Sequence, residues 1–159
     1  MNLKLRAANV DDAERVAEVL LSSRKEFLPY ARSPHTETEV LEWVRKVLIP
    51  SGGVTVACVR SSIVGVLATA YESGVSWINQ LYVAPSHVGR GIGSRLLTLA
   101  LGSLAPPVRL YTFQANVRAR SFYERRGFKA VEFGDGSTNE ERGPDVLYEF
   151  TAPLDGRAN

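Results

Sequence analysis

Leu81-Tyr82-Val83-Ala84-Pro85-Ser86-His87-Val88-Gly89-Arg90-Gly91-Ile92-Gly93-Ser94-Arg95-Leu96-Leu97 reads as the end of a strand, a tight glycine-rich turn and the start of a helix. Tyr82 and Val83 favour a strand, and Pro85 stops the ladder because it has no N–H. Leu96, Leu97, Ala100 and Leu101 then recur at helical spacing. Glycine permits the sharp turn and leaves no Cβ in the way of a ligand. The first N–H groups of the helix lack intrahelical partners, and the helix dipole adds partial positive charge there. Such a corner suits a phosphate. By itself it fits a plain tight connection equally well.

Two nucleotide-binding patterns do not fit. Val88 to Gly93 lacks the G-x-G-x-x-G spacing of a dinucleotide turn, and no Gly-Lys-Ser/Thr ending of a P-loop follows. The stretch does resemble motif A of the GNAT superfamily of acyl-CoA N-acyltransferases. That motif reads Arg/Gln-x-x-Gly-x-Gly/Ala after a strand ending in Leu-x-Val. Leu81, Val83, Gly91 and Gly93 match, while Val88 stands where the family usually has Arg or Gln. The departure removes one side-chain contact to phosphate and leaves the backbone cradle.

The rest of the chain falls into regular elements. Asn2 to Arg6 alternates as a strand. Asn9 can cap a helix whose apolar stripe runs to about Ser23. Phe27-Leu28-Pro29-Tyr30 breaks that pattern and either tucks under the domain or lines a pocket. Thr36-Glu37-Thr38-Glu39 is a capping box opening a helix that closes near Pro50. Val54 to Val59, Ile63 to Tyr71 and Val75 to Val83 read as an antiparallel meander, with Gly65 packing closely or sitting at a bulge. A helix from about Gly91 to Leu104 leads to a strand from Val108 to Phe113. Strand, crossover helix and strand imply a parallel pair. Asn116 caps a short helix to about Arg126, stopped by Gly127. Two more strands follow, Phe128 to Phe133 and Asp145 to Phe150.

The segment Asn116-Val117-Arg118-Ala119-Arg120-Ser121-Phe122-Tyr123-Glu124-Arg125-Arg126-Gly127-Phe128 resembles motif B of the same superfamily: Asn, then Ala-x-x-Phe-Tyr, then Gly-Phe. Core packing alone would account for Ala119 and Phe122, but it requires no hydroxyl at Tyr123. The resemblance spans almost the whole chain. It implies a single-domain α/β fold over residues 1–153 with a short tail at 154–159. The sheet is mixed and mostly antiparallel, with a splayed parallel strand pair and helices on both faces.

The resemblance also implies chemistry. The Val75–Val83 and Val108–Phe113 strands part, and the pantetheine arm of acetyl-CoA pairs with the freed backbone. Leu81, Tyr82, Val83, Val88, Gly89, Arg90, Gly91, Ile92, Gly93, Ser94, Asn116, Phe122 and Tyr123 are the expected cofactor contacts. The Leu81 N–H would hold the thioester carbonyl. Tyr123 would protonate the departing sulfur, since a phenol of ordinary pKa near about 10 stays protonated at neutral pH. Many family members place a Glu four residues before the Leu81 position; here Trp77 stands there. The base is left open among Glu72, Glu140, Glu141 and Asp145. Phe27, Tyr30, His35, Glu72, Trp77, Glu140 and Glu141 are candidate walls of an acceptor pocket for a small amine or a peptide amine.

Bulk properties bound these readings. The chain has 159 residues, 45% hydrophobic, with a formal net charge of +2. Charge is uneven: seven arginines face one acid between Ala84 and Gly127, whereas five acids face one arginine between Asp135 and Glu149. A basic region beside the glycine turn suits a phosphorylated cosubstrate. No nucleic-acid partner is expected, because the net charge is small and no exposed aromatics interleave the arginines. Cys58 is the only cysteine and two histidines are present, so no disulfide and no metal site is expected. No membrane span or signal peptide is apparent, so a cytoplasmic protein is expected. A homodimer would be ordinary for the family. The competing function is a non-catalytic acyl-CoA sensor, which Val88 and the missing glutamate keep open.

Overall fold

The computed structural model describes residues 1–31 and 33–151; the expected tail at 154–159 lies outside the described residues. Among the described residues seven strands form one sheet: β1 (Leu3–Ala7), β2 (Val54–Val59), β3 (Ser62–Glu72), β4 (Val75–Val83), β5 (Val108–Phe113), β6 (Lys129–Gly134) and β7 (Asp145–Phe150). Their spatial order is β1-β2-β3-β4-β5-β7-β6. Every pairing is antiparallel except β4 with β5. The helices are α1 (Ala13–Phe27), α2 (Glu37–Trp43), α3 (Ile92–Ser103) and α4 (Val117–Glu124).

β3 is buried at every position from Ile63 to Ala68, which requires cover on both faces of the sheet. α1 and α3 both pack on β3 and β4. α3 supplies Ile92, Leu96, Leu97 and Ala100, each at most 1% exposed. Gly65 lies under this helix. A Cβ there would sit 3.1 Å from both Ile92 and Leu96, so a side chain would fit only if those two residues of α3 gave way. The register also shifts beside it, between Ala57 and Cys58, so close packing and a bulge occur together.

Two helices differ from the sequence expectation. α1 runs on to Phe27 rather than stopping near Ser23, because Arg24 and Lys25 suit the negative end of the helix dipole. Pro29 then forces Leu28 out of helical geometry. The capping box at Thr36 forms as expected. Past Trp43, however, the helix widens into a π turn at Val44–Leu48 and a 3-10 turn at Ile49–Ser51. Pro50 lacks an N–H, and its ring would crowd the Lys46 carbonyl in a regular α-helix. Asn9 caps a 3-10 turn, Val10–Asp12, that leads into α1. There Asp12 receives a bidentate pair from Arg6 at 2.8 and 3.0 Å, which holds its carboxyl below the ordinary value.

Candidate functional site

β4 and β5 are hydrogen-bonded neighbours only at Ser76–Val108 and Trp77–Arg109. Beyond them β4 stays with β3 as far as Val83, and β5 stays with β7 as far as Phe113. A wedge therefore opens between two parallel strands. Asn79 is an extra residue in β4, since the register jumps from Ala68–Gln80 to Thr69–Ile78. This bulge reverses which amides face which neighbour. The Ser76 N–H donates to Pro107 on the β5 side, while the Ala84 N–H donates to Val64 on β3. Strand amides alternate, so the N–H groups of Leu81 and Val83 point into the wedge.

The wedge leads into a cavity of about 490 Å³. Its floor is Leu81, Tyr82 and Val83, and its far wall is Asn116, Ala119, Phe122 and Tyr123 of the α4 region. Its mouth is Val88, Gly89, Gly91, Ile92, Gly93 and Ser94. Gly89 and Gly91 hold φ of +78° and +81°, a left-handed backbone that side chains resist. A Cβ at either would meet nothing within 4 Å, so the glycines serve the turn and leave the space over it clear. Gly91 is the N-cap of α3, and the helix's first amides face the opening.

Tyr123 is buried among Phe122, Phe128 and Tyr148, with ring centroids 5.1, 5.4 and 6.4 Å away. Burial, with a smaller contribution from Tyr82, pushes its hydroxyl well above the usual phenol range. The hydroxyl therefore stays protonated through the neutral range. The Asn116 side-chain oxygen accepts the Ala119 N–H at 3.1 Å, which fixes the start of α4.

Positive charge at the mouth comes from α4 and the turn that ends it rather than from the glycine loop. Arg126 lies 3.9 Å over the Phe122 ring and donates to the Phe122 carbonyl at 3.0 Å. It also donates to the Ser94 hydroxyl at the start of α3. Arg118 and Arg125 line the same cavity, and Arg118 lies 4.8 Å over Phe27. The sequence displays these arginines as part of a basic run. That Arg126 reaches Ser94 depends on where α4 ends.

A second cavity, also about 490 Å³, lies between α1, the segment before α2 and the β6–β7 loop. Leu20, Leu21, Val40 and Trp43 form an apolar wall, and Arg24, His35, Glu39, Gln80, Glu140 and Glu141 supply polar groups. Tyr82 lines both cavities and so stands on the wall between them. Arg24 donates to Glu141 at 3.1 Å, and the charges of both act on the Tyr82 hydroxyl, Arg24 lowering its pKa and Glu141 raising it. His35 Nε2 is 2.6 Å from Glu140.

The residues anticipated from sequence divide accordingly. All the expected cofactor contacts line the first cavity except Arg90, which is exposed at the loop tip. His35, Glu140 and Glu141 line the second cavity. Phe27 belongs to the first. Trp77, Glu72, Tyr30 and Asp145 reach neither. Trp77 stacks on Tyr111 at 5.9 Å, below the point where the wedge opens. Glu72 is exposed at the end of β3. Tyr30 packs edge-on against Phe113 at 6.4 Å. Among the described residues, no cluster of His, Cys, Asp and Glu is arranged to hold a metal, and no helix is long and apolar enough to cross a membrane.

Residues 17–128 match the model of the acetyltransferase (GNAT) family. Comparison with curated proteins returns no relative. Among solved structures the chain resembles PaiA N-acetyltransferase from Thermoplasma acidophilum in complex with coenzyme A. That match has 22% identity and a TM-score of 0.71, covering 96% of this chain and 100% of that one. It resembles apo YjaB from Escherichia coli at 21% identity and a TM-score of 0.77, over 96% and 100% of the two chains. Arabidopsis thaliana Naa50, solved with the bisubstrate analogue CoA-Ac-MVNAL, matches at 20% identity and a TM-score of 0.71, again over 96% and 100%.

Proposed function

The chain belongs to the acetyltransferase (GNAT) family, and from that premise we propose that it transfers an acetyl group from acetyl-CoA to a primary amine in a ternary complex. The observation that carries the reading is the wedge above Trp77, where the β4 amides of Leu81 and Val83 are turned away from β3 beside the glycine mouth. Buried backbone donors left unpaired are costly, and an amide-bearing arm laid along β4 satisfies them. The first cavity therefore receives the pantetheine, and the amides from Gly89 to Ser94, together with Arg126, receive the phosphates.

Acetyl-CoA, when bound, supplies a thioester whose carbonyl carbon accepts the amine. The Leu81 N–H holds the carbonyl oxygen as it gains negative charge. The Tyr123 hydroxyl, kept protonated by burial, gives its proton to the sulfur as the C–S bond breaks. The second cavity holds the acceptor. It reaches the first across Tyr82, and its carboxylates suit a cationic amine.

Two measurements test this. Acetyl-CoA and free CoA should each raise Tm by about 5–10 °C when present at roughly 100 times Kd. Release of the CoA thiol should depend on added amine. Stabilisation without thiol release across an amine panel would assign the chain as an acyl-CoA sensor instead. No stabilisation at millimolar ligand would remove both readings.

A further inference from the structure

We propose that Glu141 is the general base that takes the proton from the acceptor ammonium, with Arg24 positioning it. The inference rests on the amine-acetyltransferase reading above and adds the residue that makes the acceptor nucleophilic.

The need is chemical. An ammonium has no lone pair, so one proton must leave nitrogen before it can attack. Trp77 stands where many family members have a glutamate, and its ring stacks on Tyr111 below the wedge. A base must come from elsewhere, and three described carboxylates line the second cavity: Glu39, Glu140 and Glu141. Glu39 accepts the Thr36 N–H at 2.8 Å and completes the capping box of α2. Glu140 has a side chain 67% exposed and is 2.6 Å from His35 at the outer rim. The Glu141 side chain is 24% exposed, and Arg24 holds it at 3.1 Å. Arg24 and Glu141 line this cavity together with Tyr82, the wall it shares with the first cavity, and the charges of both act on the Tyr82 hydroxyl. Of the remaining candidates, Glu72 lies at the end of β3 away from both cavities, and Asp145 accepts from Asn139 Nδ2 at 3.1 Å within the β6–β7 loop.

The charged and titratable groups facing this space are Arg24 of α1, His35 before α2, Glu39 of α2, Tyr82 of β4 and Glu140 beside Glu141. Fixing by Arg24 gives Glu141 one orientation, which a proton acceptor needs more than basicity alone. The step balances. Alkylammonium and thioester give amide, thiol and one proton; the C–N bond forms and the C–S bond breaks. Glu141 takes the ammonium proton and passes it to solvent. Tyr123 gives a proton to sulfur and regains one from the second N–H of the attacking nitrogen.

The experiment compares full-length wild type with Glu141→Gln and Glu141→Asp. Phenethylamine, putrescine and a short peptide with a free N-terminus are the acceptors, and kcat/KM is followed from pH 6 to about pH 10.5, beyond the pKa of an ordinary alkylammonium of about 10. At pH 7, E141Q should lose about 100-fold, with E141D in between. The deficit should shrink as pH rises, because an amine already neutral needs no base. The Tm rise with acetyl-CoA should be the same in all three proteins. A deficit constant across pH would make Glu141 a structural residue, and no deficit would make it a bystander; either overturns the assignment. If acetyl-CoA stabilises wild type but no amine in the panel releases thiol, the transfer reading itself fails and the base falls with it. Should E141Q lose stabilisation by acetyl-CoA, the pH dependence of E141D decides: convergence with wild type at high pH supports the base, and a parallel profile overturns it.

Discussion

The two cavities meet at Tyr82 but are made differently. The first is cut into the frame: two strands that part, the start of one helix and the flank of another, with backbone amides along its floor and the side chains of Ser94, Asn116, Arg118, Arg125 and Arg126 around them. The second is closed by connecting segments, namely the end of α1, the residues before α2 and the β6–β7 loop, with side chains as its polar groups. A cavity of backbone fits a ligand whose chemistry is constant. A cavity of side chains on loops can change its ligand without disturbing the sheet. On the proposed reading the cosubstrate occupies the first and the acceptor the second, and substitutions should separate accordingly into effects on acetyl-CoA and effects on the amine.

The largest effect should come from Tyr123→Phe. The ring keeps its contacts with Phe122, Phe128 and Tyr148, so fold and acetyl-CoA affinity should persist. Turnover should fall about 100- to 10,000-fold for loss of an acid acting in the transition state. Unchanged kcat would show that the sulfur leaves without this proton. The direction of the Tyr123 shift also has a sign in pH. The hydroxyl is the acid form and burial holds it protonated, so the rate should rise with pH as the amine is freed. It should show no fall below about pH 10, the ordinary phenol value. An alkaline limb near pH 9 in a stability-controlled assay would contradict the role.

Arg126→Ala comes next. Arg126 joins the Phe122 ring and carbonyl to the Ser94 hydroxyl at the mouth. Loss of one charge-assisted contact to phosphate corresponds to about 1.5–3 kcal/mol, so acetyl-CoA affinity should weaken about 10-fold or more. kcat at saturating acetyl-CoA should hold, which separates this variant from Tyr123→Phe. The reverse change is Val88→Arg, which adds a cation where the family usually carries one. An exposed ion pair is worth about 0.2–1 kcal/mol, so acetyl-CoA should bind up to about fivefold tighter, and less so at high salt. Weaker binding would mean that Arg126 already fills the phosphate position.

The difference between the cavities also explains what could be read from the chain. The first is encoded in two short continuous stretches, residues 81–94 and 116–126, each with its own turn chemistry and spacing. The order of elements was equally legible, because each has its own period and stop: Pro85 after β4, Gly127 after α4, the capping box at Thr36. The place of β7 between β5 and β6 was not, since a hairpin can present either of its strands to the sheet. The second cavity draws on residues 20–43, 80–82 and 139–141, which only the tertiary fold brings together. In sequence Glu141 is indistinguishable from Glu140; in the fold Arg24 holds Glu141 while Glu140 stays at the rim. Trp77 and Glu72 were misleading in the other direction. Near Leu81 in sequence, they lie on the zipped side of the wedge, and the bulge at Asn79 changes the phase between them and Leu81.

The smallest expected effect tests the outer edge of the second cavity. His35 and Glu140 join the segment before α2 to the β6–β7 loop at 2.6 Å, with side chains 53% and 67% exposed. Such a pair is screened by solvent and worth about 0–1 kcal/mol. If it merely draws the two loops together, His35→Ala should raise the acceptor KM less than about threefold, leave kcat alone and leave acetyl-CoA affinity unchanged. Two adjacent carboxylates on one loop should differ by more than an order of magnitude in their effect on the amine, because one is held against the wall shared with the first cavity and the other faces water. Equal effects at His35 and Glu141 would mean that the loop acts as a single electrostatic rim, and the depth of a carboxylate in the cavity would then no longer decide its role.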